Sequence, residues 1–372
     1  MPRSTTPLLL LLALAACIPG QSHRPAPAPP RKPPRHAPPP AARPRPVPPQ
    51  PAPPSPRLGY ERVEIPGGSP PPPFETNRVA AAAEESQGGV YIVKPGDSLR
   101  RISERTNAGS EAIARENGLK PPFTIRVGQK LRIPAGRWHK VRTGETGIAI
   151  ARAYGVEWSR IAALNELTEP YILRAGQRLL LPSTQEVAGM TLEQRAHAFQ
   201  LDIGDIITGG EPAIARNAEP EKPRTTGPRH TPLSPDIAVA APTPFDGRFL
   251  WPADGKVVRG YGVFGPGRRN DGIDIGTTIG APITAAADGV VVYAGTGIAA
   301  YGGLILIRHS DTWTTAYGHA GELLVTRGQA VKRGQVIARA GQSGLADRPE
   351  LHFEIRQGAK PVDPAAYLPR RG

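Results

Sequence analysis

Hydrophobic and polar positions follow different rules in different stretches of the chain. Between residues 90 and 134, a short alternating run, Tyr91-Ile92-Val93, leads into a turn at Pro95-Gly96. Apolar residues then recur at helical spacing, Leu99 with Ile102 and later Ile113 with Ala114. A closing run, Leu131-Arg132-Ile133, stops at Pro134. Alternation marks a strand, a helical period marks a buried helix face, and a Ser or Thr just ahead of that period serves as its N-cap. Residues 138–182 repeat this pattern at a constant offset of 48 without a gap. Gly96 falls on Gly144, Ile102 on Ile150, Ile113 on Ile161, Asn117 on Asn165, Leu119 on Leu167 and Pro134 on Pro182. Each unit therefore predicts a small α+β module in strand-helix-helix-strand order, with Ser98 and Thr146 as N-caps. From 245 to 370 the texture changes to short apolar runs between glycines, such as "GVVVYAG", "GGLILIRHS", "WTTAYGHA" and "LHFEIR". That pattern predicts a mostly-β domain of short antiparallel strands.

Composition explains the rest. Proline accounts for 46 of the 372 residues, crowded before residue 75. Residues 18–89 therefore read as a disordered Pro/Arg-rich tail with a polyproline bias. At ~3.1 Å per residue, residues 18–57 span on the order of 120 Å. Residues 183–244 read as a linker holding one short helix, Thr191 to Leu201. The start combines Arg3, an apolar run from Leu8 to Leu14, and Leu14-Ala15-Ala16-Cys17. This is a secretory signal over residues 1–17, too short to span a bilayer. Its end resembles the bacterial lipobox, which implies acylation of Cys17, the only cysteine. Ile18 after that cysteine resembles the sorting pattern for the outer membrane of Gram-negative bacteria, with the chain on its periplasmic face. The net charge of +14 includes about +8 over residues 90–182 and seven Arg/Lys with no acid over residues 18–57. An exported chain meets no nucleic acid, so the expected partners of this charge are anionic wall polymers and lipid head groups.

The two repeats, with V-K-P-G-D-S-L, I-A-R-E-N-G-L and V-G-Q-K-L-R-I-P in the first, resemble LysM domains. The resemblance implies a shallow groove for N-acetylglucosamine-containing glycan strands. In the first repeat it assigns Gly96, Asp97, Ser98, Asn117, Gly118 and Leu119 to that groove. In the second it assigns Gly144, Glu145, Thr146, Asn165 and Leu167. Gly147 departs from the pattern, which expects an apolar residue there, and a glycine weakens a helix by about 1 kcal/mol relative to alanine. Asn117 and Asn165 also sit where a helix needs a C-cap.

Four stretches of the C-terminal domain, "FLWPADGKVVRGYG", "NDGIDIG", "TTAYGHA" and "ELHFEIRQGAKPVDP", resemble LytM/lysostaphin-type zinc endopeptidases. That resemblance implies the duplicated hybrid β fold. It also implies a metal held by a His at position 270, by Asp274 and by His352, with two further histidines at 319 and 350 for proton transfer and oxyanion support. Here His319 is present, but position 270 is Asn270 and position 350 is Glu350. A neutral amide is a poor zinc ligand, and losing a single oxyanion donor costs roughly 10²–10³ in rate. No cofactor is therefore expected, and the catalytic and metal positions His319, Glu350, Asp274 and His352 are read as vestigial. Glu350 and His352, two apart on a strand, share one face. An altered zinc site using Glu350 or Asp271 thus remains the enzyme alternative. His309 reads as a structural residue at a strand end.

A lipoprotein with two LysM modules and a degenerate LytM domain resembles the murein hydrolase activators of the NlpD type. The resemblance implies a wall-binding protein of cell division that activates N-acetylmuramoyl-L-alanine amidases by binding an inhibitory helix in the defunct groove. The alternatives are a zinc endopeptidase with altered ligands and a passive tether between wall and outer membrane.

Overall fold

Strand-helix-helix-strand order holds in both repeats of the computed structural model, which describes residues 71–76, 78–192, 194, 200–224, 233–242, 245–265 and 268–371. Cys17 and the rest of the first 70 residues lie outside it. A short helix α1 (Pro73–Thr76) and strand β1 (Glu84–Ser86) precede the first repeat. That repeat is β2 (Gly89–Ile92), α2 (Leu99–Thr106), α3 (Ser110–Glu116) and β3 (Lys130–Ile133). The second is β4 (Gly136–Lys140), α4 (Gly147–Tyr154), α5 (Trp158–Leu164) and β5 (Arg178–Leu181). Ser98 and Thr146 are N-caps, their hydroxyls accepting from the Arg101 and Ala149 N–H groups at 3.3 and 3.1 Å. Within the tail expected to be disordered over residues 18–89, residues 79–86 are ordered, because β1 pairs with β4 and Val79 and Ala83 pack on the core of the second repeat. Trp138 of β4 is buried in the core of the first repeat, so the two modules share packing.

The C-terminal strands are β6 (Val257–Arg259), β7 (Gly262–Gly265), β8 (Arg268–Asn270), β9 (Ile273–Gly276), β10 (Pro282–Thr284) and β11 (Gly289–Gly295). They continue with β12 (Gly303–Arg308), β13 (Trp313–Leu323), β14 (Ala330–Val331), β15 (Val336–Ala340), β16 (Glu350–Gln357) and β17 (Lys360–Val362). The main sheet runs β14-β11-β12-β13-β16-β9-β6, and all of its pairs are antiparallel. Val291, Ile305 and Ile307 face a core completed by Ile275, Tyr317, Leu351 and Phe353. The alternate residues Val290, Val292, Leu304 and Leu306 are just as buried, on the other face. A sheet covered on both faces needs apolar residues at every position, which is why these strands read as continuous apolar runs.

The cover on that second face corrects the reading of residues 183–244 as a linker. After α6 (Thr184–Ala188), the helix expected from Thr191 to Leu201 falls largely outside the described residues. A helix α7 (Ile203–Gly209) follows, with Asp202 and Asp205 forming a reciprocal capping box. Ile203, Ile206 and Ile207 of α7, with Leu233 and Val239, pack against the sheet together with Ile148 of α4 and Phe74 of α1. Each such side chain contributes roughly 1.5–3 kcal/mol when fully buried. The segment therefore joins the second repeat to the β domain through a common hydrophobic cluster. Gly147 now has a physical reason. A side chain there would meet the Trp158 ring at 2.7 Å, and one at Gly209 would meet it at 2.5 Å. Two glycines flank the indole, whose N–H donates to Thr208 Oγ1 at 3.0 Å.

Candidate functional site

The β domain carries a cleft of about 340 Å³ lined by Asn270, Asp274, His319, Glu350 and His352, with Arg259 and Tyr301 beside them. Strand register brings these together. His352 of β16 lies directly opposite Asp274 of β9 and opposite Gly318 of β13. His319 follows with a φ of 66°, a strained backbone for a residue with a Cβ.

The five chemical positions are thus neighbours, and the polar atoms of Asp274 and His352 are committed to one another and to flanking residues. His352 donates from Nδ1 to Asp274 Oδ1 at 2.7 Å and from Nε2 to Glu354 Oε1 at 3.0 Å. Burial alone would push this imidazole down, but the hydrogen bonds to Asp274 and Glu354 prevail and raise its pKa to about 9. Asp274 Oδ2 pairs with Arg259 at 3.2 Å. Glu354, fully buried, also accepts from Tyr301 at 2.9 Å and from Arg356 Nε at 2.6 Å. His319 donates from Nδ1 to the Ser343 carbonyl at 2.9 Å. Burial, then the neighbouring His352, push its pKa down to about 4, so it is neutral. Burial and the nearby Asp274 push the Glu350 carboxyl above its usual range.

This donor set does not fit a zinc ion. A ligating imidazole needs an unprotonated nitrogen, and both nitrogens of His352 face carboxylates. Asp274 has a guanidinium against its second oxygen. Asn270 uses Oδ1 to accept from the Gly272 N–H at 3.2 Å, and its buried Nδ2 has no partner among the described residues. Asp271 also lines the cleft, where its carboxylate is paired with Arg269. No three His, Cys, Asp or Glu side chains among the described residues are grouped to hold a metal. What remains is a concave polar cleft rimmed by exposed Phe264 and Leu345 and by Arg259 and Arg269. His309 is structural, as expected. It bonds the Asp288 carbonyl at 2.7 Å and the Thr315 hydroxyl at 2.8 Å, and burial pushes its pKa down to about 4.

In the two LysM repeats most of the side chains assigned to glycan binding are structural. The Asn117 amide donates to the carbonyls of Ile113 and Arg132 at 2.8 and 2.7 Å and accepts from Arg132 N–H at 2.8 Å. Asn165 repeats this with Ile161 and Leu180. Each ties a helix end to the closing strand. Asp97 accepts from Tyr91 and from the Lys94 N–H and pairs with Arg105; Glu145 accepts from His139 and the Arg142 N–H. These carboxylates staple the strand–helix turn. The first turn nonetheless stays open, with Gly96 and Ser98 exposed, whereas Gly144, Glu145 and Thr146 are all buried. Residues 212–214 of the connecting segment lie against the second turn. Gly144 N–H donates to the Ala213 carbonyl at 2.8 Å, and Ala213 N–H donates to the Glu145 carbonyl at 2.7 Å. On the other side, Ile214 N–H donates to Leu173 and Ala175 N–H donates to Ile214, at 3.0 and 2.8 Å. The segment thus lies between the 144–146 turn and Leu173–Ala175, whose counterpart in the first repeat is Ile125–Val127. Leu119 and Leu167 pack toward the module cores, and Gly118 is an exposed positive-φ residue after α3.

Several of these residues were missed from sequence although a signal was present. Glu350, His352, Glu354 and Arg356 alternate with buried Leu351, Phe353 and Ile355, so four polar side chains share one face of β16. That spacing announces a polar network continuing past the His. Arg259 had only the signal of a cation in the strand that pairs with Asp274.

The LysM domain family matches residues 91–134 and 139–182, and peptidase family M23 matches residues 268–364. A lipoprotein NlpD/LppB homolog of Pseudomonas aeruginosa is 35% identical over 292 residues, covering 78% of this chain and 81% of that protein. The murein hydrolase activator NlpD of Salmonella typhimurium is 31% identical over 285 residues, covering 76% and 69%. The cell division protein DipM of Caulobacter vibrioides is 41% identical over 144 residues, 36% of this chain and 24% of that protein. With two LysM domains, an M23 domain, and the Pseudomonas and Salmonella relatives matched over more than two thirds of their length, the chain belongs to the NlpD/LppB lipoprotein family.

Proposed function

We propose that this protein binds peptidoglycan through its LysM region and activates a cell-wall amidase during daughter-cell separation, without cutting the wall itself. The observation that carries this reading is the kept cleft with its ligands turned inward. Asp274 and His352 hold the register of a metal site, yet Arg259 and Glu354 take their free valences. A cleft preserved in shape and closed in chemistry suits binding. Its exposed Phe264 and Leu345, beside Arg259 and Arg269, suit an amphipathic helix with acidic flanks. Lipidation of Cys17 would hold the chain on the periplasmic face of the outer membrane, with the proline-rich tail as spacer. The names of the Salmonella and Caulobacter relatives, a murein hydrolase activator and a cell division protein, support the same role.

The test is release of dye-labelled fragments from purified sacculi by the chain alone, by an amidase of the same organism alone, and by both. The chain alone should release nothing and the pair should exceed the amidase. Leu345→Glu, at a position 62% exposed on the cleft rim, should abolish the acceleration and leave sacculus binding intact. Release by the chain alone would make it a hydrolase, and absence of acceleration would leave a tether.

A further inference from the structure

The two repeats are alike residue by residue in their turns, Gly96-Asp97-Ser98 against Gly144-Glu145-Thr146, yet only one of these turns is accessible. The difference comes from outside the repeat. The segment Glu211-Pro212-Ala213-Ile214 lies between the 144–146 turn and the 173–175 loop and is hydrogen-bonded by backbone groups from both walls. Ala213 is 0% exposed, and Pro212 and Ile214 are buried with it. The strap is pinned beyond the groove as well. Glu211 accepts from the Val239 N–H at 3.0 Å and pairs with Arg327 at 2.6 Å and Arg308 at 3.7 Å, all in buried surroundings. On the far side, Arg174 Nη1 donates to the Ala218 carbonyl at 3.1 Å.

In the first repeat the corresponding groups are the N–H of Gly96 and Val127 and the carbonyls of Asp97 and Ile125. No strap reaches them among the described residues, and Val127 is 64% exposed.

We propose that the strap 211–214 permanently fills the groove of the second LysM module, so that this module is a mount for the C-terminal domain. Glycan binding then belongs to the first module, between Gly96–Ser98 and Ile125–Val127. The strap is part of the same chain, so its effective concentration at the groove is high and constant, and a glycan would have to displace it together with its Glu211 anchor. The second module also seats Trp158 against α7, which in turn packs on the sheet of the C-terminal domain. It therefore fixes where the cleft sits relative to the module that holds the wall. This inference rests on the wall-binding reading above.

The experiment is calorimetric titration of the full-length chain with a β-1,4-linked N-acetylglucosamine hexamer, together with amide hydrogen exchange. The native chain should bind one hexamer. Gly144, Ala175 and Ala213 amides should be protected before ligand is added, and Gly96 and Val127 only after. Val127→Glu should weaken binding by roughly tenfold or more, about 1.4 kcal/mol, while the counterpart Ala175→Glu should leave it unchanged. Ala213→Arg, which expels the strap, should raise the number of hexamers bound to two. Two hexamers on the native chain would overturn the proposal. So would loss of binding in Ala175→Glu with Val127→Glu unaffected, or unprotected Gly144 and Ala213 amides in the free chain. Any of these leaves wall binding itself standing. A native chain that binds neither hexamer nor sacculi would overturn both readings.

Discussion

The two LysM modules began as one pattern, and the positions where they differ show what each became. Module one keeps Leu99 and Ser110 where module two has Gly147 and Trp158. The first pair leaves a module with an open turn. The second pair seats an indole between Gly147 and Gly209 and so receives α7. A residue that looks like a defect in a helix is the socket of an interdomain joint. The lesson is that a departure from a repeat should be read against whatever packs on that repeat.

The largest effect should come from removing the socket's content. Trp158→Ala deletes a 2% exposed indole and should cost about 3–5 kcal/mol. Ser110→Ala, at the repeat counterpart, should stay within about 0.5 kcal/mol. Denaturant unfolding of both variants measures the contrast, and equal losses would erase it.

Acid should separate the regions next. Folding holds His309 of the C-terminal domain neutral, at a pKa of about 4 against an ordinary 6.5. The unfolded chain takes up this proton near pH 6.5 and the native one only near pH 4. Stability from this residue is thus complete above pH 6.5 and is lost as pH falls towards 4, by up to about 3 kcal/mol. His309→Gln should reduce that slope in thermal unfolding and leave the part that His319, also held down to about 4, contributes. An unchanged slope would contradict a contribution from His309.

Gly147→Leu restores the consensus of the repeat. By helix propensity it should stabilise; by the 2.7 Å approach to Trp158 it should destabilise, by roughly 1–3 kcal/mol as overpacking does. A rise in melting temperature would refute the socket. The smallest effect belongs to the exposed face of module one, where Arg100→Ala breaks an i,i+4 pair with Glu104 and should cost no more than about 0.5 kcal/mol.

Much of this was legible in sequence, for reasons that also explain what was not. The repeats and their caps at Ser98 and Thr146 follow from local periodicity and spacing, while the grouping of Asp274, His319, Glu350 and His352 comes from the resemblance to zinc endopeptidases. The closing of the site follows from neither, because Arg259 and Tyr301 reach it through register and loop packing. The strap was hidden for another reason. Residues 211–214 have no periodicity, since an isolated extended segment that pairs on both sides repeats nothing. The clue lay elsewhere, in the unbroken apolar runs Val290–Tyr293 and Leu304–Ile307, which required a cover on their second face. The supposed linker supplies most of it, with Phe74 and Ile148.

The central claim is that the C-terminal site has exchanged its metal for the protein's own ion pairs. Elemental analysis tests it most directly, on full-length protein purified with zinc present and then mildly dialysed. The account predicts far less than one zinc per chain, because Arg259 holds Asp274 while Asp274 and Glu354 hold both nitrogens of His352. About one zinc per chain, retained through dialysis, would contradict it and return Glu350 or Asp271 to the role of substitute ligand.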